Sequence, residues 1–159
     1  LGGTRLRNIL GLDFLARYSD HSLALLRLLT GAFLMHGTLD NIVSVARMEE
    51  FEHFLAANGF PWPHLAAPLS VYAQFLCGLA FVLGLMTRWA GVIMVINFII
   101  AVAMVHLGQE FRAQWPALVL VFISLHFAVH GAGRFSIDKL LEARWSKATW
   151  LPPDQTRAA

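Results

Sequence analysis

Residues 69–107 read LSVYAQFLCGLAFVLGLM, then Thr87-Arg88, then WAGVIMVINFIIAVAMVHL. Two uninterrupted apolar runs of 18 and 19 residues are thus separated by two polar residues. Each run is long enough to cross a hydrocarbon core of about 30 Å as an α-helix. A connection this short makes the two helices antiparallel neighbours in a tight hairpin. Working outward, Ser22–Leu39 lies upstream and Pro116–Ala132 downstream, and both have the same character. The four runs, 17–19 residues each, hold a single formal charge, Arg27. The pattern predicts an all-α, polytopic membrane protein: a bundle of four transmembrane helices.

Composition agrees. The 159 residues are 57% hydrophobic and 14% charged, against about 25% charged in soluble domains. Four spans leave no room for a separate soluble domain. A net charge of +2, dispersed along the chain, argues against a nucleic-acid partner. The one cysteine, Cys77, excludes an internal disulfide and a CxxC redox pair. It lies mid-span, where a small packing role is expected. Residues 1–18 lack the continuous apolar core of a signal peptide, so none is expected there.

Three regions follow: an N-terminal interfacial segment over 1–21, a bundle over 22–132 with an external loop at 41–66, and a C-terminal segment over 133–159. Residues 5–18 space Leu6, Ile9, Leu10, Phe14 and Tyr18 as one helical face among Arg5, Arg7 and Arg17, a surface-lying helix. Ser19 or Asp20 is placed to cap the first span. In the loop, Ser44–Ala57 reads as an interfacial helix, with Gly59 past its end and Pro61 and Pro63 stopping it. Ser136 is placed to cap a short amphipathic helix, about Ile137–Trp145, with Asp138 in its first turn. The Pro-rich tail from Leu151 is expected to be disordered. Nine Lys/Arg fall on the side of the termini and two, Arg47 and Arg112, on the other. Positive charge gathers on the cytoplasmic side, so both termini are expected there.

Close packing is expected where small residues form stripes: Ala73, Cys77, Ala80 and Gly84 on span two, and Ser124, Ala128 and Ala132 on span four. Polar residues inside spans are costly and mark sites. His36 and Asp40 share a helix face near the outer end of span one. His106 ends span three at the same level, and His53 and His64 lie in the loop. A neutral imidazole there can relay protons or hydrogen-bond a quinone carbonyl, and a carboxylate beside it fixes its tautomer. Gln74 and Asn97 sit within apolar runs, where interhelical hydrogen bonding is the default role. His126 and His130 form an HxxxH pair on span four, but a metal or haem there needs further ligands from facing helices. Arg27, about two turns into span one, has a stem long enough to snorkel. A backbone carbonyl, an acidic lipid head group or Asp138 would each serve as its partner. No phosphate loop, zinc motif, Ser-His-Asp order or dinucleotide fingerprint is present.

Several motifs in order complete the reading: Leu26-Arg27-Leu28 with Gly31; Phe54-Leu55-Ala56-Ala57-Asn58-Gly59-Phe60-Pro61; Gly78; Leu83-Gly84-Leu85-Met86-Thr87-Arg88; His106; and Gly131-Ala132-Gly133-Arg134-Phe135-Ser136-Ile137-Asp138. Over roughly residues 22–141 the chain resembles the DoxX-like family of small four-helix membrane proteins. The resemblance implies a bundle in a bacterial cytoplasmic membrane. It also implies kinship with quinone-reducing thiosulfate oxidoreductase subunits and with a subunit associated with superoxide dismutase and a sulfurtransferase. Two positions depart from the pattern: Gln74 stands where many relatives carry Glu, and Asp40 where a lysine is usual. What the resemblance implies is a quinone-associated, redox-linked subunit working with a protein partner. His36, Asp40, His106 and Gln74 are the expected quinone ligands. Arg27 and Arg134 are expected anchors, structural or toward anionic lipid. No metal or dinucleotide is implied. A non-catalytic accessory or structural subunit of a larger membrane complex is the alternative, and membrane lipids with a protein partner or a homo-oligomer are the expected partners. Small-molecule or lipid transport is the third reading. The residues alone assign no catalytic step.

Overall fold

The structure is a computed structural model and describes residues 11–148. The described residues contain no strand and six α-helices, in the order α1 (Ser19–Val43), α2 (Val45–Ala57), α3 (Pro63–Leu83), α4 (Thr87–Ala101), α5 (Phe111–His130) and α6 (Ile137–Ala148). Four helical stretches are long and apolar enough to cross a membrane: Phe14–Val43, Pro63–Leu83, Thr87–Val105 and Phe111–His130. The four-span bundle read from the sequence is therefore present. Most of the expected helix over 5–18, and the tail from Leu151, lie outside the described residues. The described part, Asp13–Tyr18, is a short 3₁₀ helix running directly into α1.

The hairpin between the second and third spans is tight, but its turn is Gly84–Met86 and not the expected Thr87-Arg88, which are the first two residues of α4. Gly84 ends α3 at φ 65°, a left-handed conformation that suits a residue with no Cβ. Met86 also takes a positive φ of 49°, in front of Thr87. The loop helix is capped by Ser44, whose hydroxyl accepts from the Arg47 amide at 3.5 Å. Gly59 follows at φ 76°, with the Phe60 amide donating to the Leu55 carbonyl, so the stop signal at 59–61 acts as expected.

The first span packs most extensively on the second, and the third on the fourth. Lipid tails are as apolar as leucine, so such pairing rests on close van der Waals contact. At the first crossing, a Cβ on Gly31 would strike the Gly78 carbonyl, and one on Gly78 would come 2.8 Å from the Gly31 carbonyl. The contact glycine is thus Gly78, beside the stripe expected on that span. At the second, a Cβ on Gly91 would lie 2.6 Å from the Ala128 amide nitrogen and 2.8 Å from the Ser124 carbonyl. The stripe read on span four is the face that receives α4. Phe81 and Phe127, both fully buried, join the two pairs with ring centroids 4.8 Å apart.

The hairpin end is closed by the segment after α5. Arg88 reaches the last carbonyls of α5, including Val129 at 2.8 Å, and so places positive charge at a helix C-terminus. Asp138 accepts from the Met86 and Thr87 amides, at 2.7 and 3.1 Å, capping α4 from outside that helix. Its own amide donates to the Gly84 carbonyl at 3.0 Å. Ser136 caps α6 as expected, accepting from the Lys139 amide at 3.3 Å. The expected cap of the first span is not made. Ser19 and Asp20 lie inside α1, and Asp20 instead accepts from the Arg134 amide at 3.3 Å. The helix can start earlier because the preceding 3₁₀ turn already feeds its first amides.

Arg27 does not snorkel to a surface. It is 2% exposed, and its Nη2 donates to the Phe135 carbonyl at 2.6 Å, with Asp138 as its nearby counter-charge. The reason is tertiary: residues 131–138 fold back across the end of α1 and cover a side chain that would otherwise reach out. Motifs far apart in the chain, around Arg27, Gly84–Thr87 and Phe135–Asp138, therefore meet at one end of the bundle.

Candidate functional site: a neutral cavity beneath the loop helix

The opposite end of the bundle, which carries α2, contains a cavity of about 540 Å³. That size falls within the roughly 300–1,000 Å³ of small-molecule sites. Its roof is aromatic, formed by Phe51, Phe54 and Leu55 of α2 with Phe60 and Pro61 of the following turn. One wall is α3, through Ala66, Leu69, Ser70 and Gln74. The other is Asn97, Phe98, Ile100 and Ala101 of α4, continued by Met104 and Val105. The interfacial helix read from residues 44–57 is thus folded onto the spans with its apolar face inward.

The polar part of the wall is a hydrogen-bonded chain of three uncharged side chains. Gln74 Nε2 donates to Ser70 Oγ at 3.0 Å, one turn back on α3. Ser70 Oγ donates across to Asn97 Oδ1 on α4 at 2.9 Å. The default role expected for Gln74 and Asn97, joining helices, is met, with Ser70 as the link. Gln74 is eleven residues into α3, about 16 Å along the axis at 1.5 Å per residue. The cluster therefore sits about halfway across the bundle, at the deep end of the cavity. None of the described lining side chains is ionisable.

The wall of α4 ends in a π-helical turn, Val102–His106, closed by the Leu107 amide donating to the Val102 carbonyl at 3.0 Å. Such turns place an extra residue in the helix and recur at functional sites. His106 closes this turn, directly after the lining residue Val105. Its imidazole is not among the described side chains.

His36 and Asp40 lie elsewhere. They share an exposed patch on α1 with Gly37, Leu39 and Val43, and none of these lines the cavity. Asp40 is engaged by the loop helix, with Arg47 Nη2 at 3.2 Å from Oδ2, and Arg47 Nη1 reaching Glu50 at 2.5 Å. The hydrogen bond to Asp40, then the Glu50 charge, hold the Arg47 guanidinium above its already high range. Of the four expected ligands, Gln74 is in the cavity wall and His106 follows it. His36 and Asp40 stand apart, because α1 turns this face away from α3 and α4. His64, which the structure places in the first turn of α3 and not in the loop, has its Nδ1 3.6 Å from a carboxylate oxygen of Glu52 on α2, and His53 of α2 is exposed. His126 and His130 stack on the exposed side of α5, centroids 5.2 Å apart. Among the described residues, no group of three or more His, Cys, Asp or Glu side chains could hold a metal ion. Ser70 and Asn97 complete the polar cluster. Ser70 could have been found by its place four residues before Gln74, on the same helix face.

Fold and site together define a small four-span integral membrane protein with a cavity between its second and third spans, beneath the loop helix. The model of the DoxX family matches residues 22–107, more than half of the chain. The protein belongs to the DoxX family. No curated protein and no solved structure matches it.

Proposed function

We propose that this protein is a quinone-associated, redox-linked subunit of the bacterial cytoplasmic membrane. The observation that carries the reading is the cavity itself: apolar, without an ionisable described lining residue, and ending in an amide–hydroxyl cluster. An unpaired charge in such a place would be strongly disfavoured, so the occupant is neutral. A quinone fits these requirements. Its ring stacks well on aromatic faces such as those of the roof, its carbonyls accept from side-chain amides, and its isoprenoid tail is compatible with lipid. Asn97 and Gln74 would hold the ring, and bound quinone would supply two-electron redox chemistry. His106, next along the wall, is suited to proton exchange at the membrane boundary, and the exposed His36–Asp40 pair would serve protons outside the cavity. Cys77, the lone cysteine, is buried and provides no thiol pair, so electrons come from a protein partner. The hairpin end carries Arg17, Arg88, Arg134, Lys139 and Arg144, which supports a cytoplasmic placement of that end and both termini.

The test is co-purification in mild detergent followed by solvent extraction. The protein is expected to retain quinone, and Ala101→Trp, which fills the cavity, is expected to lose it while still folding. Absence of quinone from the parent, or its full retention in the filled variant, would overturn the reading. An accessory role in a larger complex is the second reading. It is favoured by α5, the least buried span, whose exposed face presents polar His126 and His130. It predicts that a partner complex remains active when the cavity is filled.

A further inference from the structure

We infer that α6 is a membrane-surface helix that docks on anionic phospholipid at the hairpin end of the bundle, with Arg144 taking the lipid phosphate. The inference is independent of the quinone reading.

The sequence of α6 gives it two faces. Ile137, Leu140, Leu141 and Trp145 fall at i, i+3, i+4 and i+8, on one side of the helix. Lys139 and Glu142 lie on the other, paired at 2.6 Å. A helix folded into the bundle would bury the first face. Among the described residues, α6 instead packs extensively on no other helix, and Leu140, Leu141 and Trp145 are exposed. An isolated helix of 12 residues is marginal in water. Its order therefore calls for a partner along the apolar face.

The place where α6 begins says what that partner is. The Asp138 amide donates to the Gly84 carbonyl, and the Asp138 carboxylate accepts from the Met86 and Thr87 amides. Those residues form the turn where the second span ends, at Leu83, and the third begins, at Thr87. The start of α6 is thus pinned where hydrocarbon gives way to headgroups, a layer that suits the Trp145 indole and an amphipathic helix lying flat. Charge then selects the lipid. Asp20 accepts from the Arg134 amide, Asp138 caps α4, and Glu142 is held by Lys139. Arg144 is exposed and has no acidic partner among the described residues. At 3.6 residues per turn it falls between Leu140 and Leu141, in the middle of the apolar face. A guanidinium there lies along acyl chains through its stem and needs an anion at headgroup depth, which a phosphate supplies with two parallel hydrogen bonds. A zwitterionic lipid brings its own cation to that phosphate, whereas an anionic lipid leaves it open. Arg27, 2% exposed, has no path to a headgroup, so the contact falls to Arg144.

The experiment is amide hydrogen exchange of the full chain, read by mass spectrometry, in lipid nanodiscs of phosphatidylcholine alone and of phosphatidylcholine mixed with phosphatidylglycerol. Exchange over residues 139–148 is expected to be about fivefold slower in the anionic discs, the worth of one basic side chain at an anionic surface. High salt is expected to erase the difference, because the attraction is screened. Arg144→Gln is expected to exchange alike in both discs. Leu141→Ser is expected to exchange faster in both, since it weakens the apolar contact without touching charge. Exchange within the four spans reports whether each variant has folded. Equal exchange of residues 139–148 in the two discs overturns the inference on the parent protein alone, so a misfolded variant does not shelter it. An undiminished difference in a folded Arg144→Gln protein overturns the role of Arg144. Unchanged exchange in Leu141→Ser overturns the apolar contact with the membrane surface.

Discussion

Replacing Asp138 with alanine should unlatch the hairpin end of the bundle. The carboxylate accepts from the first two amides at the start of α4, at 2.7 and 3.1 Å. Losing such a cap costs about 0.5–2 kcal/mol. One of those amides belongs to Met86, whose left-handed φ of 49° is held in place by this bond. The same carboxylate is the counter-charge of Arg27, which is 2% exposed and donates to a single protein carbonyl. Depriving a buried guanidinium of a charged neighbour adds about 1–2 kcal/mol. The sum is about 1.5–4 kcal/mol, or a melting temperature lower by roughly 3–16 °C for a chain of this size. The protein supplies its own probe. Cys77 is its one cysteine and is 6% exposed, so a thiol-reactive fluorophore reports only opened molecules. Asp138→Asn keeps an oxygen for the amides and loses the charge, so it should fall between parent and Asp138→Ala. Arg27→Met combined with Asp138→Ala should cost about 1 kcal/mol less than the two single changes added, because they share one interaction. An Asp138→Ala protein melting within about 1 °C of the parent would refute the account.

Gly91→Ala should destabilise by about 1–3 kcal/mol, since its Cβ meets backbone atoms of α5 that cannot swing away. Gly37→Ala is its control: nothing lies within 4 Å of the added carbon, so the same dye assay should show no loss, or a gain of about 0.5–1 kcal/mol from helix propensity. Arg47→Gln should leave the melting temperature unchanged at physiological salt, because its ion pairs with Asp40 and Glu50 are exposed and screened. A clear fall would mean that Arg47 braces the loop helix against α1.

The membrane-spanning character was legible because it is a local property. A helix spans when about twenty successive residues are apolar, whatever lies beside it, and residues 69–107 state that twice in a row. Turn chemistry is local too, so the stop at Gly59 and the Ser136 cap could be read directly, while the tight hairpin was legible but placed three residues late, at Thr87-Arg88 instead of Gly84–Met86. Gln74 was legible as a polar residue in an apolar run, and Asn97 as its counterpart on the next span. Pairing between helices was half legible. The stripe on α5 receives Gly91, but on α3 the contact falls on Gly78, since rotation about a helix axis depends on every neighbour at once.

What tertiary structure alone decided is where empty space remains and what is covered. The cavity exists because α2, folded back from the loop, meets α3 and α4 without filling the volume between them, a mismatch among side chains some twenty to fifty positions apart. The separation of His36 and Asp40 from that cavity follows from the facing of α1. The burial of Arg27 follows from residues 131–138 returning more than a hundred positions later to lie over it. The sequence by itself determined four spans and their connections, because hydrophobic length and capping act over a few turns of chain. The fate of each polar side chain waited for packing, because desolvation is set by whichever distant segment comes to rest against it.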